Sequence, residues 1–272
     1  MKELISHLPE HKRAELELIK DAILEKIPDV RMIILFGSYA RGDWVEDTHI
    51  EDNAIHVYES DFDILVATRD KKTAEDSNIH DRVEKAIEAT DKVKTPYNII
   101  YHSFGYIDEM ISQGHYFFCD IKKEGIQLYR KHGKFDFSKI KILTSAQRKQ
   151  IAQEHFNQWF EKAKDSYLGY EMFYDKERYN EAAFNLHQST ERLYSAICLV
   201  FVNYRFRTHD IEKLNRKAIS YNSEFGNAFP LDTSEQKNNF KLLKHAYIDA
   251  RYKDSYEITA EQLQYLAARV KC

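Results

Sequence analysis

Cysteine is scarce in this chain: three in 272 residues, Cys119, Cys198 and Cys272, far apart and without metal-ligand spacing. That argues against a disulfide framework or a cysteine zinc site and points to reduced thiols in a cytoplasmic protein. Long apolar runs are missing as well, and the longest fall short of the roughly 20 residues that a membrane helix needs. The first eight residues carry charges and no apolar stretch, so no secretory leader and no membrane partner are expected. Nor is there an excess of basic charge. A net charge of -4 and a pI near 6.3 argue against a protein that coats nucleic acid by bulk electrostatics, although a local basic patch remains compatible with them.

What is present is globular. Hydrophobic residues make up 43% and charged residues 31%, with 18 Tyr and 16 Phe, and the length suffices for two domains with separate cores. The pattern divides accordingly: strands and helices alternate to about residue 130, a linker covers 131–143, and only helical periodicity follows over 144–272.

The first half is organised around Leu35-Phe36-Gly37-Ser38-Tyr39-Ala40-Arg41-Gly42 and Ser60-Asp61-Phe62-Asp63-Ile64-Leu65-Val66. A strand, Met32 to Phe36, enters a glycine-flanked turn. A second apolar strand then carries two aspartates one residue apart. Alternate residues of a strand share a face, so Asp61 and Asp63 project together, roughly 7 Å apart at their Cα atoms. Carboxylates that close repel unless a cation lies between them. Their hard oxygens suit magnesium, which keeps waters and substrate phosphates in its shell. Gly37 and Gly42 permit backbone angles closed to other residues, and the Gly-Ser turn can aim amides and the Ser38 hydroxyl at a phosphate. The plain alternative is a structural hairpin turn and an ordinary strand end, which the acids between Phe62, Ile64 and Leu65 disfavour.

In Gly37-Ser38, Arg41-Gly42 and Asp61-Phe62-Asp63, the chain resembles the nucleotidyltransferases of the DNA polymerase beta superfamily. The resemblance implies an α+β nucleotidyltransferase domain, a mixed sheet with flanking helices, over residues 1–130. It implies catalytic and metal-binding roles for Asp61 and Asp63, two magnesium ions, and a nucleoside triphosphate substrate bound at Gly37, Ser38 and Arg41. The alternative for Arg41 is a surface residue paired with Asp43. The family takes its third carboxylate from the next strand, here Pro96-Tyr97-Asn98-Ile99-Ile100-Tyr101-His102, which holds no acid. Asn98 or His102 is left to stand in, or Asp108 or Glu109 from the following helix. Between Gly42 and Asp61 an acidic β-hairpin is expected, with Trp44 and Tyr58 either packing on their own sheet or stacking on a base.

A helix is expected over Ile107–Ile121, and Thr144-x-x-Gln147 has the form of a capping box opening a long helix. Further helices are expected over about 178–202, 211–221, 239–251 and 260–270, giving an all-α bundle. This half resembles the HEPN domains, on Ala183-Phe184-Asn185-Leu186-His187-Gln188-Ser189-Thr190-Glu191 and on His245-Ala246-Tyr247-Ile248-Asp249-Ala250-Arg251-Tyr252. His187 and Glu191 lie one turn apart, and with Arg251 they are expected to form one polar pocket, unless His187 is merely a satisfied core residue. The resemblance implies a homodimer through the helical domain. Ribonuclease members pair an arginine with a downstream histidine across a dimer. No histidine follows Arg251 closely, and Arg205 and His209 fall one residue short of that spacing, so RNA is a disfavoured partner.

The function expected is therefore transfer of a nucleoside monophosphate to a hydroxyl or amine of a small molecule, a protein tyrosine or an RNA end. The alternatives are a catalytically weakened nucleotide-binding, antitoxin-like module and a HEPN ribonuclease.

Overall fold

The computed structural model describes residues 5–51, 54–133 and 135–271. The chain forms two compact units, Met1–Ile142 and Leu143–Cys272. In chain order the first comprises α1 (Glu10–Lys26), β1 (Val30–Phe36), α2 (Ser38–Arg41), β2 (Glu46–Glu51), β3 (Ala54–Glu59), β4 (Phe62–Thr68), α3 (Lys71–Ala74), α4 (Ser77–Glu88), β5 (Tyr97–Ser103), α5 (Phe104–Gln113), α6 (Tyr116–Glu124) and β6 (Ile126–Arg130).

The sheet runs β5-β4-β1-β6, with β4 and β5 parallel and the other pairs antiparallel. Its two central strands are buried along almost their whole length, Arg31 alone being half-buried, because helices cover both faces. On one face Ile33, Leu35, Phe62, Ile64 and Val66 pack on Leu16, Ile19 and Ile23 of α1 and on Ile79, Val83 and Ile87 of α4. Burying each of these side chains contributes about 1.5–3 kcal/mol, which fixes strand register, since a one-residue slip would turn the core face to water. Asp63 belongs to the other face. There Phe36, its antiparallel partner, meets Phe117 of α6 edge to face at 5.6 Å.

Two expectations for this unit change. The single helix expected over Ile107–Ile121 is two helices, because Gly114 takes a left-handed φ of 85° and ends α5. The segment read as a linker is docked instead: Phe137 stacks on Phe104 at 4.9 Å, the Ser138 hydroxyl donates to Asp108 at 2.8 Å, and Lys131 pairs with Asp29. The expected hairpin is present as β2 and β3, paired from Glu46↔Glu59 to Glu51↔Ala54.

The second unit holds α7 (Ser145–Tyr174), α8 (Tyr179–Val202), α9 (Ile211–Tyr221), a 3-10 turn (Ser223–Ala228), α10 (Ser234–His245), α11 (Asp249–Tyr252) and α12 (Ala260–Lys271). The Thr144–Gln147 capping box forms with both of its hydrogen bonds. Thr233–Gln236 forms a second, so α10 starts five residues before the expected Asn239 and stops at His245 rather than continuing to Arg251. As expected, α8 is the central helix, buried from Ala182 to Leu199 on most sides. It lies along α7, where Ser189 donates to the Ala163 carbonyl at 3.0 Å.

Candidate functional site

β1 ends at Phe36, and Gly37 then turns the chain with φ 77° and ψ -156° into the short helix α2. That φ is strained for any residue with a side chain. Space forbids one too: a Cβ at Gly37 would stand 2.6 Å from the Asp63 Oδ2 atom. The Asp63 carboxylate thus lies directly against the glycine turn. Asp63 is 8% exposed, and Asp61, just before the start of β4, is half-buried. Ser38 is half-buried at the start of α2, and its carbonyl accepts from the Gly42 amide at 2.8 Å.

β5 delivers Asn98 beside Asp63. The two are Cα partners in the parallel ladder, and Asn98 Nδ2 donates to Asp63 Oδ1 at 3.1 Å. His102 does not reach the acids. It is in register with Ala67, four residues further along β5, and its ring is packed between Tyr106 at 4.8 Å and Phe118 at 5.4 Å. Four residues of strand span roughly 13 Å. Asp108 accepts from the Ser138 amide and hydroxyl, and Glu109 accepts from Gln113 at 3.0 Å. Arg41 Nε donates to Asp43 at 3.0 Å with both side chains exposed, so the pair stands at the rim of the site and holds Arg41 only weakly.

The hairpin leaves and re-enters next to Asp61. Val45 donates its amide to the Ser60 hydroxyl at 3.0 Å, and Ser60 donates its amide to the Val45 carbonyl at 2.9 Å. Trp44 packs rather than offering a face: it stacks on Tyr39 at 5.5 Å and 12°. Tyr39 is fully buried, which pushes its hydroxyl up to about 12, and it donates to Glu46 at 3.2 Å. The side chain of Tyr58 lies outside the described residues.

Among the described residues no three or more His, Cys, Asp or Glu are grouped to hold a metal ion. At Gly37 the structure brings together the Asp63 carboxylate and the neutral Asn98 amide, with Asp61 two residues before Asp63 in the chain. Oxygens of this kind suit magnesium, which fills its remaining positions with water and phosphate oxygens, and with no Cβ at Gly37 the Asp63 carboxylate can lie against the turn.

In the helical unit His187 is fully buried. Its Nδ1 donates to the Leu243 carbonyl at 2.9 Å, while Nε2 has no hydrogen-bond partner and stands 3.7 Å from Glu191 Oε2. The same oxygen accepts from His209 Nδ1 at 3.0 Å, and the His209 ring stacks on Tyr247 at 4.1 Å. Burial pushes the Glu191 carboxyl up, but His187 and His209 outweigh it and leave it below the usual carboxylate range. Arg251 meets this pocket at Tyr247, its guanidinium 4.8 Å from the centroid of that ring. Its Nε donates to the Tyr247 carbonyl at 2.8 Å, and its guanidinium packs on Phe184 at 4.5 Å and Tyr252 at 4.9 Å. The pocket is His187, Glu191, His209 and Tyr247; the last two come from other elements, a relation that helical spacing cannot show.

Residues 156–271 match the family model of the HEPN domain. The helical unit therefore carries a HEPN domain, reaching from the middle of α7 to the last turn of α12. No curated protein matches the chain. The first unit is a four-stranded mixed sheet with helices, and no helix among the described residues is long and apolar enough to cross a membrane.

Proposed function

We propose that the chain is a metal-dependent nucleotidyltransferase, moving a nucleoside monophosphate from a triphosphate to a hydroxyl or amine acceptor, with a HEPN domain fused behind it. The observation that carries this reading is the carboxylate of Asp63 lying against a glycine whose side chain would collide with it. Buried acids are costly, and this one sits at a turn followed by a serine. Asp61 and Asp63 would hold magnesium, which supplies charge neutralisation at the triphosphate and a lowered acceptor pKa when bound. Ser38 and the Gly37 turn would bind the triphosphate, and Arg41, released from Asp43, would meet the outer phosphates. The helical domain would pair with a second copy; Phe156, Phe160 and Phe201, each at least 37% exposed around an aromatic-lined cavity of about 700 Å³, support that face.

The test is incubation of the protein with each α-labelled triphosphate and magnesium, and mass spectrometry of whatever gains a nucleotide. Candidate acceptors are a small molecule, a protein tyrosine and an RNA end. Labelling should disappear in Asp61→Ala and Asp63→Ala and persist in Arg251→Ala.

A second reading is a nucleotide-binding, antitoxin-like module without turnover, favoured by an amide rather than an acid at position 98. It predicts magnesium-dependent triphosphate binding and no pyrophosphate release. A ribonuclease reading draws support from the HEPN match and predicts RNA degradation that survives Asp61→Ala but not Arg251→Ala. Against it, His209 is bound to Glu191 and Arg205 packs on the Trp159 ring at 5.0 Å.

A further inference from the structure

Behind the acidic pair, on the opposite face of the sheet, a lysine is buried for which the nucleotide site has no direct use. Lys12, on α1, is 4% exposed. Its ammonium donates to the Thr95 hydroxyl at 2.6 Å and pairs with Glu46 Oε1 at 2.7 Å. The same nitrogen stands 5.7 Å from the Tyr39 ring centroid and 6.0 Å from that of Phe62, within reach of a cation–π attraction. One turn further along α1, Glu15 accepts the Thr95 amide at 3.0 Å. Thr95 is therefore gripped by both side chain and backbone.

Each of these partners belongs to a different wall of the site. Tyr39 follows Ser38 in α2. Phe62 separates Asp61 from Asp63. Glu46 is the first residue of the hairpin strand β2. Thr95 precedes Pro96, whose carbonyl accepts the Phe62 amide at 2.8 Å and starts the strand that carries Asn98. The β1–β4 ladder, paired as far as Phe36 with Asp63, and the Tyr39–Phe62 ring contact at 4.5 Å hold the glycine turn against Asp63. Among the described residues no such ladder joins the hairpin to the sheet, and beyond the Val45–Ser60 neck its ties are Lys12 and Tyr39, both acting on Glu46.

We infer that Lys12 is a positioning residue: from beneath the sheet it sets the hairpin and the start of β5 relative to the aspartates, and so fixes the walls of the site on either side of them. The inference rests on the nucleotidyltransferase reading for its catalytic consequence and on geometry alone for the hairpin. A compact ammonium fits this duty better than a guanidinium, because the two short bonds diverge from one atom in a buried space. Removing Lys12 alone would leave Glu46 without its cation, so the informative variant removes both charges, Lys12→Met with Glu46→Gln.

In the full chain, the double variant should keep a cooperative melt. A glutamate-specific protease should cut after Glu51 or Glu59 at least about tenfold faster than in the wild type, reading local opening rather than global unfolding. In pyrophosphate release, kcat should fall at least about tenfold while KM for the triphosphate stays within about twofold, because the triphosphate side is held by the ladder. Unchanged cleavage overturns the inference, whatever the activity. Faster cleavage with unchanged kcat overturns the positioning role. If wild-type protein releases no pyrophosphate, the nucleotidyltransferase reading fails by itself, and cleavage alone decides whether Lys12 holds the hairpin.

Discussion

Asn98 donates its side-chain amide to Asp63 Oδ1 across the parallel ladder, 3.1 Å away and at the same register level. A neutral donor thus stands beside a buried carboxylate, where a second acid would repel it unless a cation were shared. Asn98→Asp should therefore melt several degrees below the wild type in EDTA, and magnesium or manganese should return most of that loss. Differential scanning fluorimetry with and without metal measures it. A variant that melts like the wild type under both conditions would mean that position 98 does not face the metal-binding oxygens.

Gly37→Ala combines a left-handed φ with a Cβ 2.6 Å from Asp63 Oδ2. Strain and overpacking of this kind cost about 1–3 kcal/mol each. Denaturant melts should show a loss of about 2–6 kcal/mol, the sum of the two, and calorimetry should show magnesium-triphosphate binding abolished. Ser38→Ala should retain stability within about 0.5 kcal/mol and weaken binding only.

Glu191 gives the helical unit a pH dependence with a definite sign. Its folded-state pKa lies below the ordinary value of 4.5, so its contribution is present above 4.5 and is lost as pH falls through the lower folded value. At pH 7, Glu191→Gln should be less stable by about 1–3 kcal/mol, the worth of hydrogen bonds to a charged group. The gap should narrow below pH 4.5, read by urea denaturation with circular dichroism at the helical band. A gap independent of pH would assign the loss to packing.

Phe160→Glu and Phe201→Glu place charges on rings that are 37% and 45% exposed. If that face joins two copies, sedimentation should show a dimer for the wild type and monomer for both variants, with melting little altered. A monomeric wild type ends the dimer proposal.

The strands and the candidate site were legible because they are local. Met32 to Phe36 is a short apolar run into a glycine, and the alternation of Phe62 and Asp63 already divides the α1 face from the face of the glycine turn. The start of α10 was hidden because Ser234 to Asn238 is polar, and its signal lay in Thr233 and Gln236 rather than in apolar periodicity. The docking of residues 131–142 was hidden for a related reason: Phe135 and Phe137 sit among charges, and their partners Arg31 and Phe104 come from distant strand and helix positions. His209 and Tyr247 belong to the Glu191 pocket through tertiary contact alone.

The hairpin departs from the sheet and returns through a neck a single residue pair wide, Val45 with Ser60. Closing a longer excursion over the same neck costs only about 0.6 kcal/mol per doubling of its length. Residues distal to Glu46 can therefore be lengthened, trimmed or exchanged while the β1–β4 register stays fixed. The hairpin is thus a part of the surface that substitution can reshape while the Gly37 turn and Asp63 keep their places in the β1–β4 ladder.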